Sequence, residues 1–388
     1  MEAGGSPAGP SRIAIITNTS GPSLNYSETF IRAHIERLPC EKMVLTGNPG
    51  NRTIDDCRDR RVKDSFVRRG AQAIKYFLGN SPAIDGSALV RFLQEQEIDL
   101  VLAEYGTTAV SVMDACVKSN VPLVAHFHGY DAYRQDVIRR YGSGYKSLFR
   151  QASALVAVST DMQRRLIEMG ARPEGTFYNP CGVSVFEDWR ASPGKSDPRF
   201  LMVGRLVEKK GPLLSIRAFH KMNISDAILD IIGDGPLMGD CLDLIKRLGI
   251  THRVTLHGQL GHDEVFGFMR NARCFIQHSI RAKDGDSEGT PVAVLEAMAA
   301  GLPVVATAHC GIADAITNKS LGILVQEGDI EAMAIAMRES AANPNFAQKI
   351  GDSARKEIMA KWTLEHRISG LWNILTTARS QGTCRHDN

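Results

Sequence analysis

The sequence predicts an α/β protein built from two doubly wound parallel sheets. Three observations carry that expectation. The chain has 388 residues, enough for two domains at roughly 100–200 residues each. Short Val/Ile/Leu-rich runs alternate with amphipathic stretches from Arg12 almost to the C-terminus, the pattern of right-handed βαβ units. A polar stretch containing Pro and Gly, residues 184–198, separates two such sets and reads as a linker.

In the first half the expected strands are residues 12–18, 43–46, 100–105, 122–127 and 154–159. Each is short, apolar and closed by polar or Gly residues, as strands buried on both faces are. Between them residues 27–38, 87–97, 107–118 and 161–169 have helical patterning, with Ser27 placed to cap the first. In the second half the strands are 200–203, 228–232, 254–256, 274–277, 304–306 and 323–325. The helices are 212–221, 238–248, 263–271, 291–300 and 330–341. Two last helices, 346–361 and 364–378, have no strand to follow, so they either cover the second sheet or cross back to the first. The expected division is a disordered tail over 1–11, a first domain over 12–190, a second over 191–362, and a crossing helix with a tail over 363–388.

Composition narrows the class. Hydrophobic residues are 43% and charged residues 23% of the chain, and 46 basic against 43 acidic residues leave +3. That excludes disordered, collagen-like and coiled-coil chains and gives no basic footprint for nucleic acid. No uncharged apolar run approaches the ~18 residues of a membrane span. The N-terminus lacks the basic and apolar regions of a signal peptide. The eight cysteines are scattered without a CxxC, so they are expected to be reduced thiols in a cytoplasmic protein.

In open parallel sheets ligands sit beyond the carboxyl ends of the strands, and four loops stand out there. Residues 203–211, Val-Gly-Arg-Leu-Val-Glu-Lys-Lys-Gly, put Arg205 and Lys210 beside a helix N-terminus. A planar fork and a point charge at such a site suit a diphosphate; the spacing alone fits a solvated basic loop as well. Residues 284–296 carry Glu288 on a loop, Gly289 and Thr290 before a helix starting at Pro291, and Glu296 eight residues on within an apolar run. A carboxylate in that run needs a partner. His126-Phe127-His128-Gly129-Tyr130-Asp131 closes a strand. Without a third convincing ligand the two histidines read as structural, or as hydrogen-bond donors to a polar substrate, rather than as a metal site. The fourth loop, residues 19–23, is not G-x-G-x-x-G, which argues against a nicotinamide dehydrogenase. Asp284-Gly285-Asp286 could chelate a divalent ion, but Arg205 and Lys210 would already neutralise a diphosphate, so no metal is expected.

Together these residues resemble the retaining glycosyltransferases of family 4 (glycosyl transferases group 1), of bacterial polysaccharide-assembly type. The resemblance is carried by Val203-Gly204-Arg205-Leu206 with Lys210-Gly211, by Ile232-Gly233-Asp234-Gly235-Pro236, and by Glu288-x7-Glu296 with the following residues 297–306. His128-Gly129-Tyr130-Asp131 and residues 179–183, Asn-Pro-Cys-Gly-Val, match more loosely. It implies the GT-B architecture, two Rossmann-like domains facing a cleft, with the second binding the nucleotide sugar.

The resemblance also implies roles. Arg205 and Lys210 would hold the diphosphate, Glu288 the donor sugar with Gly289 and Thr290 helping, and Glu296 the ribose. Gly233 and Pro291 belong to the same donor-binding set. His128 would approach the sugar from the facing domain, and Gly21 and Asp131 would border the acceptor. The reaction would be a metal-independent, retaining hexosyl transfer without a cofactor. Its donor would be a UDP-sugar in preference to a GDP-sugar. Its acceptor would be a hydroxyl of a glycan, a lipid-linked acceptor or a small molecule, in exopolysaccharide or related glycan synthesis. A GT-B sugar-nucleotide epimerase is the alternative. The basic cluster in residues 58–69 could touch an anionic membrane surface, although interspersed Asp56, Asp59 and Asp64 fit a solvated helix better.

Overall fold

The computed structural model describes residues 9–18, 28–46, 53–56 and 86–383. Gly21, Ser27 and the basic cluster over 58–69 lie outside the described residues.

The first sheet has seven strands: β1 (Arg12–Thr17), β2 (Glu41–Thr46), β3 (Thr53–Asp56), β4 (Leu100–Glu104), β5 (Leu123–Phe127), β6 (Ala154–Ala157) and β7 (Thr176–Tyr178). Their order is β3-β2-β1-β4-β5-β6-β7, parallel throughout except for the edge strand β3, which runs antiparallel to β2. The second sheet comprises β8 (Arg199–Val203), β9 (Ile228–Ile232), β10 (Val254–Leu256), β11 (Cys274–Gln277), β12 (Val304–Thr307) and β13 (Ile323–Val325), in the parallel order β10-β9-β8-β11-β12-β13. β4, β5, β6, β11 and β12 are buried along their whole length, because helices cover both faces. The strand order reverses between β1 and β4 and between β8 and β11, so the loops after these strands meet at the switch points where ligands bind.

Several elements escape the sequence pattern, the edge strands β3 and β7 among them. The helix Gln135–Gln151 is charge-rich and holds Gly142 and Gly144, which read as breakers. Tyr145, Leu148 and Phe149 nevertheless make a buried stripe. A Cβ on Gly144 would stand 2.7 Å from Val110 Cγ1, so the glycine permits close packing on the helix Gly106–Ser119. β7 is too short to show a period. The first helix spans Thr29–Arg37 with Glu28 as N-cap and no side-chain cap bond, which corrects the start expected from Ser27.

The stretch over 184–198 is not a free linker. A 3₁₀ turn at Glu187–Trp189 lays the Trp189 ring on Phe266 with centroids 3.6 Å apart, and the Ala191 N–H donates to the Ala300 carbonyl. Val183 and Ala191 already pack in the core of the second sheet. The chain then crosses between the two sheets a second time beside the first crossing. Val183 N–H donates to the Trp362 carbonyl and Leu364 N–H to the Val183 carbonyl, both at 3.0 Å. A Cβ on Gly182 would lie 2.7 Å from the Thr363 carbonyl, so the two crossings touch only because this residue is Gly.

After that crossing the helix Leu364–Thr383 packs Ile368, Leu371, Leu375 and Ala378 against Ile13, Ile15, Val44 and Leu100 of the first sheet. Full burial of each leucine contributes about 1.5–3 kcal/mol. The end of the expected tail is held here too. Arg379 donates to the Gly9 carbonyl, and the Ser11 N–H and hydroxyl both donate to Asp99. No helix among the described residues is long and apolar enough to cross a membrane.

Candidate active site

The loops after β8, β11 and β5 converge. β8 is followed by Gly204 at φ 150, and a 3₁₀ turn at Glu208–Lys210 leads to Gly211 at φ 58, the N-cap of the helix Pro212–Met222. A Cβ on Gly211 would lie 1.9 Å from the His278 carbonyl, and one on Gly233 2.0 Å from the Gly204 carbonyl. These glycines therefore clamp the basic loop between the ends of β9 and β11. Gly233, expected in the donor-binding set, is placed as a backbone spacer against that loop.

The turn aims Lys210 at Glu288, with Nζ 3.0 Å from Oε1 and 3.1 Å from Oε2. Both side chains are largely enclosed, 15% and 5% exposed. Burial pushes the Glu288 carboxyl up, but the Lys210 and Lys209 charges outweigh it and hold it below its usual value. Arg205 is exposed and has no ion-pair partner among the described residues. Lys209 pairs with Asp286 at 3.1 Å and donates to the Ser287 carbonyl. Asp284 and Asp286 thus organise their own loop: the Asp284 carbonyl accepts the Gln135 N–H from the first sheet's side, and its carboxylate accepts the Asp286 N–H.

Gly289 is a point of close approach between the two halves. A Cβ there would stand 2.1 Å from the His128 carbonyl, and a Cβ on Gly311 2.3 Å from the Gly289 carbonyl. Thr290 is spent on the same junction, donating its hydroxyl to the Val158 carbonyl at 2.8 Å and accepting the Cys181 N–H at 3.0 Å. Pro291 is the N-cap of the helix Val292–Ala300, which therefore begins one residue after the expected start. Glu296 sits partly buried on that helix, 3.3 Å from His262 Nε2. This contact raises the imidazole's pKa and supplies the partner that a carboxylate in an apolar run requires.

The loop after β5 departs from expectation at Asp131. Its carboxylate is fully buried and accepts the backbone N–H groups of Gly106, His128 and Gly129. It shapes the turn that presents His128 and does not face an acceptor. The His-x-His pair does have further partners, both from other elements. His128 Nε2 lies 2.7 Å from Glu104 Oε2, His34 Nδ1 2.7 Å from Glu104 Oε1, and His126 Nδ1 3.5 Å from Glu104 Oε2. His34, Glu104 and His126 form a buried group whose ligand atoms lie within 4.8 Å of one another. Phe30 stacks on the His128 ring at 4.2 Å. Tyr105 packs edge-on to His128 from a strained φ of 76° and donates its hydroxyl to Glu28.

Sequence reasoning missed Glu104 and His34. A glutamate ending the otherwise apolar strand β4 was the available signal, since a buried carboxylate must be paired. It also left open His309. The His309 ring accepts the Glu288 N–H at Nε2 and donates from Nδ1 to Glu327 at 2.6 Å.

Comparison with known proteins fits this geometry. A family model described as Glycosyl transferases group 1 matches residues 185–357, and one described as Glycosyltransferase Family 4 matches residues 33–185. The chain is 30% identical over 289 residues to the putative colanic acid biosynthesis glycosyltransferase WcaL of Salmonella typhimurium, covering 72% of this chain and 70% of that one. It is 34% identical over 271 residues to the amylovoran biosynthesis glycosyltransferase AmsK of Erwinia amylovora, covering 69% of this chain and 65% of that one. Among solved structures, Anabaena Alr3699/HepE in complex with UDP superposes with a TM-score of 0.68 at 18% identity, over 93% of this chain and 98% of that one, which shows that the two share the GT-B fold.

Proposed function

This chain belongs to the group 1 glycosyltransferases of family 4, and from that premise we propose that it moves a sugar from a nucleotide-sugar donor to a glycan hydroxyl in exopolysaccharide synthesis, with retention and without a metal. The observation that carries the reading is the Lys210–Glu288 pair together with Arg205, which has no ion-pair partner among the described residues. An ammonium has three donors. Glu288 takes at most two, which leaves one for a phosphate oxygen, while the Arg205 fork is free for another. Breaking the anomeric C–O bond puts negative charge on the departing diphosphate, and fixed cations stabilise that charge most where it develops most. Glu288 is then poised to accept hydrogen bonds from sugar hydroxyls, opposite His128.

The names of the relatives WcaL and AmsK support an exopolysaccharide acceptor. The Anabaena neighbour holds UDP, in keeping with a UDP-sugar donor. More distant relatives are named GDP-mannose-dependent mannosyltransferases, so the donor test must include both bases. Purified protein is expected to release nucleoside diphosphate from one sugar nucleotide in the presence of EDTA and a polysaccharide-repeat acceptor. The product's anomeric configuration, read by NMR, is expected to match the donor's. Loss of turnover in EDTA would overturn the metal-free mechanism, and an inverted product the retaining one. Epimerised donor without any acceptor requirement would select the epimerase instead.

A further inference from the structure

We propose that Glu104 is a positioning residue for sugar transfer, holding the proton of His128 on Nε2 so that Nδ1 presents a lone pair to a hydroxyl of the donor. The proposal rests on the glycosyl-transfer reading for its ligand, but its structural half stands alone. Glu104 ends β4, is fully buried, and reaches two imidazoles at 2.7 Å, one per carboxylate oxygen. Burial pushes its carboxyl up, yet the surrounding histidines hold it well below the usual range. An ionised carboxylate only accepts hydrogen bonds. Each imidazole nitrogen facing it must therefore carry a proton, which places one on His128 Nε2 and one on His34 Nδ1. In the neutral form an imidazole has a single N–H, and with that proton on Nε2 it is His128 Nδ1 that is left to accept. That nitrogen is buried and has no hydrogen-bond partner among the described residues.

The surroundings fix the ring as well as the proton. Phe30 stacks on one face of His128 and Tyr105 meets it edge-on. The backbone N–H of His128 is held by Asp131. The His128 carbonyl abuts Gly289, next to Glu288. His34 occupies the second carboxylate oxygen, so Glu104 has no freedom to turn away. The site would thus offer an acceptor, not a donor, to the sugar from this side. That differs from the donor role expected of an unpaired His-x-His.

The test begins with wild-type protein carrying ¹⁵N-labelled histidine, with the His128 signals assigned by their loss in His128→Ala. Two-bond N–H correlation is expected to give the Nε2–H tautomer for His128, and an Nδ1–H tautomer overturns the proposal without any variant. Glu104→Gln is the second arm, because one amide cannot accept from both rings. It is expected to lower kcat about 10–100-fold while donor KM changes less than about threefold, and Glu104→Asp is expected to restore part of the loss. In the His128→Ala background the same change is expected to cost less than about twofold, since residues acting as a unit are not additive. A full, additive loss in that background overturns the proposal. So does one equivalent of a transition metal in the purified wild-type protein that is lost in Glu104→Gln, since the cluster with His34 and His126 would then be a metal centre. A wild-type protein that turns over no sugar nucleotide counts against the transferase reading and leaves the tautomer measurement to decide the rest.

Discussion

Lys210 and Glu288 meet with Nζ 3.0 Å from the carboxylate, although they lie on loops that follow different strands of the second sheet. The pair places the cation proposed for phosphate and the carboxylate proposed for sugar within one hydrogen bond of each other. Glu288→Gln keeps the shape and removes the charge. Losing a charge-assisted contact costs about 1.5–3 kcal/mol, so kcat/KM is expected to fall roughly 10–150-fold. Steady-state kinetics check this, with circular dichroism confirming the fold.

Arg205 is exposed and makes no ion pair among the described residues. Arg205→Ala is therefore expected to leave stability within about 0.5 kcal/mol. Transfer should nonetheless drop roughly 10–150-fold, the loss of one charge-assisted phosphate contact. A drop in the thermal midpoint together with unchanged turnover would assign the side chain a structural role instead.

Gly289→Ala would drive a Cβ to 2.1 Å from the His128 carbonyl. Neither partner can yield without moving backbone, so overpacking of about 1–3 kcal/mol is expected. Activity should suffer more than stability, because the displaced segments are those carrying His128 and Glu288. Parallel urea melts and donor kinetics separate the two effects.

Leu371 is fully buried where the helix Leu364–Thr383 lies on the first sheet. Leu371→Ala is expected to cost about 2–5 kcal/mol. Denaturant unfolding with a probe in each half would read it, with the first-sheet half losing most.

His278 gives a pH dependence. Burial lowers its pKa from 6.5 to about 4, and its Nε2 accepts the Gly328 N–H at 2.9 Å. A base with a depressed folded pKa is bound more tightly by protons when unfolded. Its contribution is complete above pH 6.5 and is lost as pH falls from there to about 4, up to about 3 kcal/mol. Urea midpoints measured from pH 7 to 4 should decline, and His278→Gln should flatten that slope.

Most elements were legible before the structure. β9, β10, β11 and β13 fall on the residues their apolar runs mark, because short runs rich in apolar residues between turn signals are what parallel strands leave in a sequence. The helix Gln135–Gln151 was hidden by Gly142 and Gly144, which local propensity reads as breaks and packing against Val110 requires. At the site, the sequence marked Arg205, Lys210, Glu288 and Glu296 as candidates by their places on loops and on one helix. Asp131 was misassigned: its neighbours in sequence suggested a ligand-facing carboxylate, whereas three backbone amides consume it.

By itself the sequence determined the two sets of alternating strands and helices and the loops that carry charge at strand ends. Both are local properties, written in the period of apolar residues and in the composition of turns. Only the tertiary structure decided that Glu104 holds His34 and His128, that Gly289 touches His128, and that the last helix returns to the first sheet. Those pairings depend on the order in which strands lie side by side, and a buried polar group's partner comes from whichever strand that order brings beside it.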